Sequence, residues 1–131
     1  MKEPDEIMKL HKELVASEQH IFPLKGKVNV SEKHGVYIIY SPSEIVLHVG
    51  NTPSGKGGLN QRLYNHVTRT SSFSRKYLKP KGISLRKGYK FRILEVSVPR
   101  TRALLEALTA GLLCPAHIGT GEKKSQLSKI S

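Results

Sequence analysis

Tryptophan is absent from this 131-residue chain, cysteine occurs once and aspartate once, at Asp5. The lone cysteine, Cys114, rules out an internal disulfide and fits a reducing compartment. Its apolar neighbours predict a packed thiol rather than a nucleophile. No apolar run approaches the ~20 residues that cross a bilayer. The N-terminus, Met1-Lys2-Glu3-Pro4-Asp5-Glu6, is too acidic for a signal peptide. The expectation is a cytoplasmic protein with no membrane partner.

Acidic residues are scarce as a class: ten stand against 22 Lys and Arg, for a net charge of +12. The imbalance is uneven. Residues 1–20 hold three lysines and five acids, so the rest of the chain carries +14. From Arg62 to Arg102 there are twelve basic residues and one acid, Glu95. Such asymmetry predicts a polyanionic partner, because each neutralised phosphate releases counterions. No amphipathic helix joins the basic tract to a bulky apolar face, which favours nucleic acid, DNA ahead of RNA, over a lipid surface. The candidate phosphate contacts are Lys56, Arg69, Arg75, Lys76, Lys79, Lys81, Arg86 and Lys87, with Ser71, Ser72 and Tyr77 as further backbone contacts. Few aromatics are present, so no extended base-stacking platform is expected.

The periodicity predicts a small α+β domain with a three-stranded, mainly antiparallel sheet flanked by helices. A helix is expected over 5–20, where Ile7, Leu10, Leu14 and Val15 recur at helical spacing. Gly35–Tyr40 and Ile45–Val49 read as a hairpin across the turn-forming Ser41-Pro42-Ser43-Glu44. A loop over 51–58 leads to a helix from Leu59 to about Thr70, then a short basic helix over Ser71–Leu78. Tyr89–Val98 reads as the third strand, and Thr101 as the cap of a helix running to Leu113. Leu104, Leu105, Leu108 and Leu112 define the expected packed side of that helix. Residues 1–30 form an N-terminal helix and linker, 31–120 the main domain, and 121–131 a flexible basic tail.

One motif invites a different function. Gly50 to Gly57 nearly fits the phosphate-binding pattern G-x4-G-K-[ST] between a strand and a helix. It fails at Gly57, which has no hydroxyl for Mg²⁺. The only aspartate lies in the N-terminal helix, and a nucleotide-hydrolysing domain of that type needs a larger parallel sheet. The loop keeps a simpler use, in which its amides and Lys56 meet a backbone phosphate.

Four other pieces supply the chemistry of phosphodiester hydrolysis, which needs a deprotonated water and charge stabilisation at the phosphoryl oxygens. Arg62 offers planar donors to phosphate oxygens. His66 lies one turn further on the same helix face and titrates near neutrality. Tyr37 projects from the first strand of the hairpin and could orient or deprotonate water. Glu106 is the only acid between Glu95 and Glu122, and its helical neighbours Arg102, Ala103, Thr109 and Ala110 are mostly small. One carboxylate with waters and a phosphate oxygen makes an adequate Mg²⁺ site. Tyr37 and His66 both remain candidates for the general base.

In order and spacing, Gly35-Val36-Tyr37, then ten residues, then His48-Val49-Gly50 resembles the motif that names the GIY-YIG endonuclease superfamily. The resemblance continues through Arg62, Glu106 and Pro115 and covers roughly residues 33 to 118. It implies a divalent-metal-dependent DNA endonuclease with one Mg²⁺ or Mn²⁺ per active site, held by Glu106. It also implies catalytic roles for Tyr37, His48, Arg62 and His66, with a dimer on DNA as one route to cutting both strands. His48 stands where the family usually has tyrosine, and Ile118 where it usually has asparagine; His117 and Thr120 are the nearby polar residues. Those two departures support the alternative, the same fold as a catalytically weakened or inactive nucleic-acid-binding module.

Overall fold

The computed structural model describes residues 2–119, so Thr120 and the expected flexible tail lie outside the described residues. The chain runs α1 (Glu3–Ala16), β1 (His20–Ile21), β2 (Gly35–Tyr40), β3 (Val46–Asn51) and α2 (Gly58–Val67). A π-helical turn (Ser74–Leu78), β4 (Lys90–Glu95) and α3 (Pro99–Leu113) follow. Every strand pairing is antiparallel, in the order β1-β4-β2-β3. The α+β class is as expected, but the sheet has four strands rather than three. The extra one, β1, pairs only His20 with Phe91 and Ile21 with Lys90. Two residues are too few to produce an alternating pattern, so the sequence hides it.

Several boundaries differ from expectation. Helix α1 stops at Ala16 because Ser17 turns extended and both its N–H and its hydroxyl donate to the Leu14 carbonyl. Helix α2 ends at Val67, with Thr68 capping back to Tyr64. Strand β4 ends at Glu95, and α3 begins at Pro99, so Thr101 is not its cap. Proline suits that first position because its missing N–H has no intrahelical acceptor to meet.

The central strand β2 is buried along its whole length and separates two apolar layers. Alternate residues face opposite ways. Tyr37 and Ile39 pack with Leu59 and Leu63 of α2 and with Phe73 and Phe91. Val36, Ile38 and Tyr40 pack with Ile7 and Leu14 of α1 and Leu105 of α3. Each such fully buried side chain contributes about 1.5–3 kcal/mol.

The packed stripe of α3 keeps three of the four expected leucines, with Leu105 buried and Leu104 and Leu108 partly buried against the core. Arg102, Leu105 and Thr109 are its buried residues, while Leu112 is 53% exposed. The polar members are held by bonds that an apolar pattern does not reveal. Arg102 donates to the carbonyls of Val96 and Ser97, and Thr109 Oγ1 meets Nδ1 of His11 at 2.9 Å. Cys114 is also a correction. It terminates α3 at φ 49° and is exposed rather than packed. Among the described residues, no helix is long and apolar enough to cross a membrane.

Candidate active site

Strand β3 forms one edge of the sheet, and its residues alternate between the two layers. His48 and Gly50 pair with Ile39 and Tyr37, and so share the α2 side; Asn51 pairs with Val36 and shares the α3 side. After α3 the chain returns to this edge, where the N–H groups of Ala116 and His117 donate to the carbonyls of Val46 and Leu47. Beyond that pairing, Val49, Gly50 and Asn51 line a cavity of ≈ 290 Å³. Tyr37, His48, Arg62, Phe73, Glu106 and His117 complete much of its wall. Residues from both sheet faces thus meet around one edge strand.

The two motif glycines have steric causes. A Cβ on Gly35 would run into the Leu94 carbonyl of the neighbouring strand. A Cβ on Gly50 would collide with the Tyr37 hydroxyl and stand 3.2 Å from His48 Nε2. Gly50 therefore leaves open the space into which the phenol points.

Tyr37 is fully buried, and its hydroxyl lies 2.7 Å from His66 Nε2. His66 Nδ1 lies 2.6 Å from Ser71 Oγ. Ser71 Oγ is 3.0 Å from Ser74 Oγ, which in turn donates to the His66 carbonyl. A hydroxyl has one proton to give and a carbonyl none. Ser74 spends its proton on that carbonyl, so Ser71 donates to Ser74 and His66 donates to Ser71 through Nδ1–H. His66 Nε2 is then a bare acceptor, and Tyr37 donates to it.

These protonation states agree with the electrostatics. Burial, reinforced by His48 and Arg62, holds His66 well below the usual imidazole range, so it is neutral near pH 7. Burial pushes the Tyr37 phenol up to about 12, outweighing the nearby Arg62 charge. His48 falls to about 3, chiefly through burial and then through the neighbouring His117. The His48 ring is clamped by Phe73, stacked at 4.4 Å and 9°.

Arg62 comes from α2 and lines the cavity, yet its buried Nε has no hydrogen-bond partner among the described residues. Arg102 Nε is also buried without a partner, so the orphaned atom is a cost shared by two arginines; what Arg62 brings to the cavity is its positive charge, which also acts on Tyr37. Glu106 reaches the same cavity from α3 and accepts a 2.5 Å hydrogen bond from Asn51 Nδ2 at Oε1. Burial raises its carboxyl above the ordinary range, while Asn51 and Arg62 pull the other way.

Glu106 is the only carboxylate lining this cavity among the described residues. A hard, half-buried oxygen donor suits a hard cation, and Mg²⁺ retains several waters when few protein ligands are offered. The cavity has room for a hydrated ion beside a phosphate oxygen, at ~30 Å³ per water. Among the described residues no cluster of three or more His, Cys, Asp or Glu side chains could cage a metal, so an ion here would be held by Glu106 and water.

Tyr37, His48, Arg62 and Glu106 thus meet in one cavity. His66 is adjacent but does not line it, because the Tyr37 hydroxyl stands between. The basic candidates are more scattered. Lys56 shares a smaller hollow with Arg62, and the Lys76 charge is felt by His117. Arg69, Lys79 and Lys87 are exposed, as is Lys81, whose ammonium lies 5.3 Å above the Tyr77 ring. Arg75 is exposed and donates to the Thr70 carbonyl. Arg86 is half-buried and bonded to the Pro23 carbonyl, so it serves the linker after α1 rather than this face. Ser71, expected as a backbone contact, is buried behind His66. Ser72 is exposed and lines the cavity.

Sequence reasoning missed Asn51, which was assigned to a flexible loop. The available signal was its place directly after the His48-Val49-Gly50 triplet, at the strand end. Ile118 is 61% exposed. No family model matches the chain, and no curated protein matches its sequence.

Proposed function

We propose that this protein is a divalent-metal-dependent DNA endonuclease whose domain is GIY-YIG-like. The observation that carries the reading is the convergence on one cavity of the Arg62 side chain, a lone carboxylate, Glu106, and a phenol, Tyr37, bonded to a neutral imidazole. A phosphodiester is the substrate class that uses all three. Arg62 receives its anionic oxygens. Tyr37 stands where an attacking water can be oriented, and it can take the water's proton only by releasing its own to His66 Nε2. Burial keeps His66 ready to accept that proton but makes it a weak base, so the pair works as a relay rather than as a strong base. Asn51 fixes one oxygen of Glu106, and Glu106 would hold the metal ion. When bound, the ion supplies positive charge at the phosphoryl oxygens and lowers the pKa of water.

A second reading keeps the fold and drops the chemistry. It is favoured by Ile118, an exposed apolar residue where the resemblance expects an amide. A supercoiled-plasmid assay separates the two. Nicking that requires Mg²⁺ or Mn²⁺ and stops with chelator supports the nuclease. Salt-sensitive DNA binding with no cutting in any divalent metal supports the binding module.

A further inference from the structure

The hydrogen-bond inventory does not end at Tyr37. Nδ1 of His48 lies 3.2 Å from Nδ1 of His117. Two neutral imidazoles can share that contact in only two ways. One donates Nδ1–H, and the other accepts at Nδ1 and must therefore carry its proton on Nε2. Burial keeps both rings on the neutral side, with Lys76 adding to the effect at His117.

The surroundings of His48 Nε2 select between them. A Cβ on Gly50 would collide with the Tyr37 hydroxyl and stand 3.2 Å from that nitrogen, and both side chains line the cavity. The Tyr37 oxygen has given its proton to His66 and presents only lone pairs there. A bare Nε2 would put a second acceptor on a cavity wall that already presents the Tyr37 lone pairs, beside the positive charge of Arg62. A protonated Nε2 instead adds a donor for an anionic oxygen, which can itself only accept. Phe73 fixes the plane of the His48 ring, and the main-chain bond from His117 to Leu47 fixes the base of its partner.

We propose that His117 is a positioning residue. Its Nδ1–H donates to Nδ1 of His48 and holds His48 in the tautomer that presents Nε2–H to a phosphate oxygen in the cavity. The choice of tautomer rests on the endonuclease reading, which places an anion in the cavity; the contact between the two rings does not. His48 then replaces a phenolic donor with an imidazole donor, and His117 is the partner that the replacement requires.

The test is a long-range proton–nitrogen NMR correlation on the ¹⁵N-labelled full chain near pH 7.5, with His48 assigned by loss of its signals in His48→Gln. The expected pattern is Nε2–H at His48 and Nδ1–H at His117; the reverse pair overturns the proposal. His117→Asn keeps an N–H close to the lost Nδ1 and should leave the His48 tautomer unchanged. His117→Ala should scramble that tautomer and lower plasmid nicking about 10- to 100-fold, the range seen when a partner orienting a site imidazole is removed. Most of this loss should return in His117→Asn. An unchanged His48 tautomer in His117→Ala contradicts the proposal whatever happens to cutting. A wild type with the expected tautomers that cuts no DNA overturns the endonuclease reading alone.

Discussion

The Tyr37 hydroxyl and His66 Nε2 are 2.7 Å apart in a site from which water is excluded on the His66 side. Tyr37→Phe keeps the ring and deletes the proton donor, leaving His66 Nε2 buried and unpaired. The expected stability loss is about 1–2 kcal/mol. Nicking should fall about 100- to 10,000-fold, the usual range for a lost proton-transfer group. DNA affinity should barely change. Single-turnover cleavage and a binding isotherm on the same preparation check the separation.

Gly50 owes its identity to the same phenol. Gly50→Ala forces a methyl group against the Tyr37 hydroxyl, and the strand cannot move away without breaking its pairing with β2. A loss of about 1–3 kcal/mol is expected from such overpacking. Urea unfolding at 25 °C measures it.

The buried imidazoles set an acid limit on stability. His48, at about 3, and His66, also depressed, bind fewer protons folded than unfolded once pH drops below the ordinary imidazole range near 6.5. Unfolding free energy should therefore be level from pH 7 to 8 and fall as pH drops from 6.5 toward 3. Tyr37 works in the opposite direction. Its folded value of about 12 means that stability is retained below pH 10 and is lost as pH rises from 10 to 12. Urea titrations across this range test both arms.

Cys114 holds a left-handed conformation at the end of α3, φ 49°, where glycine is the usual residue. A side chain in that region costs about 1–2 kcal/mol, part of which glycine returns as unfolded-state entropy. Cys114→Gly should raise the thermal midpoint by a few degrees while removing the exposed thiol. Differential scanning calorimetry of both proteins decides this.

The basic residues should divide by their bonds. Lys79→Ala and Lys81→Ala should each lower the slope of log affinity against log salt by up to about one. Arg86→Ala should leave the slope unchanged and lower stability instead, because its guanidinium is occupied by the Pro23 carbonyl.

Much of this arrangement was legible in the sequence because it depends on local pattern. The hairpin showed in two β-rich segments across a turn, and Arg62 and His66 showed as one face of a helix. What escaped detection depends on contacts between distant parts of the chain. Strand β1 exists because β4 offers it a free edge. Arg102 is held by two carbonyls at one terminal nitrogen and Thr109 by His11, which no hydrophobic pattern records. Ser71 resembled an exposed hydroxyl in a basic tract until the fold brought it behind His66. His66, a candidate base on the same helix face as Arg62, does not line the cavity because the Tyr37 hydroxyl screens it.

The central claim is that Glu106 anchors the metal on which cutting depends. The most direct measurement is Mg²⁺-dependent plasmid nicking by Glu106→Ala beside wild type, at matched fold by circular dichroism and matched DNA affinity. The account predicts wild-type nicking and a loss of about a hundred- to a thousandfold in the variant, the scale of a lost electrostatic stabiliser. Cutting by Glu106→Ala at a rate near wild type, with the same Mg²⁺ dependence, would contradict it.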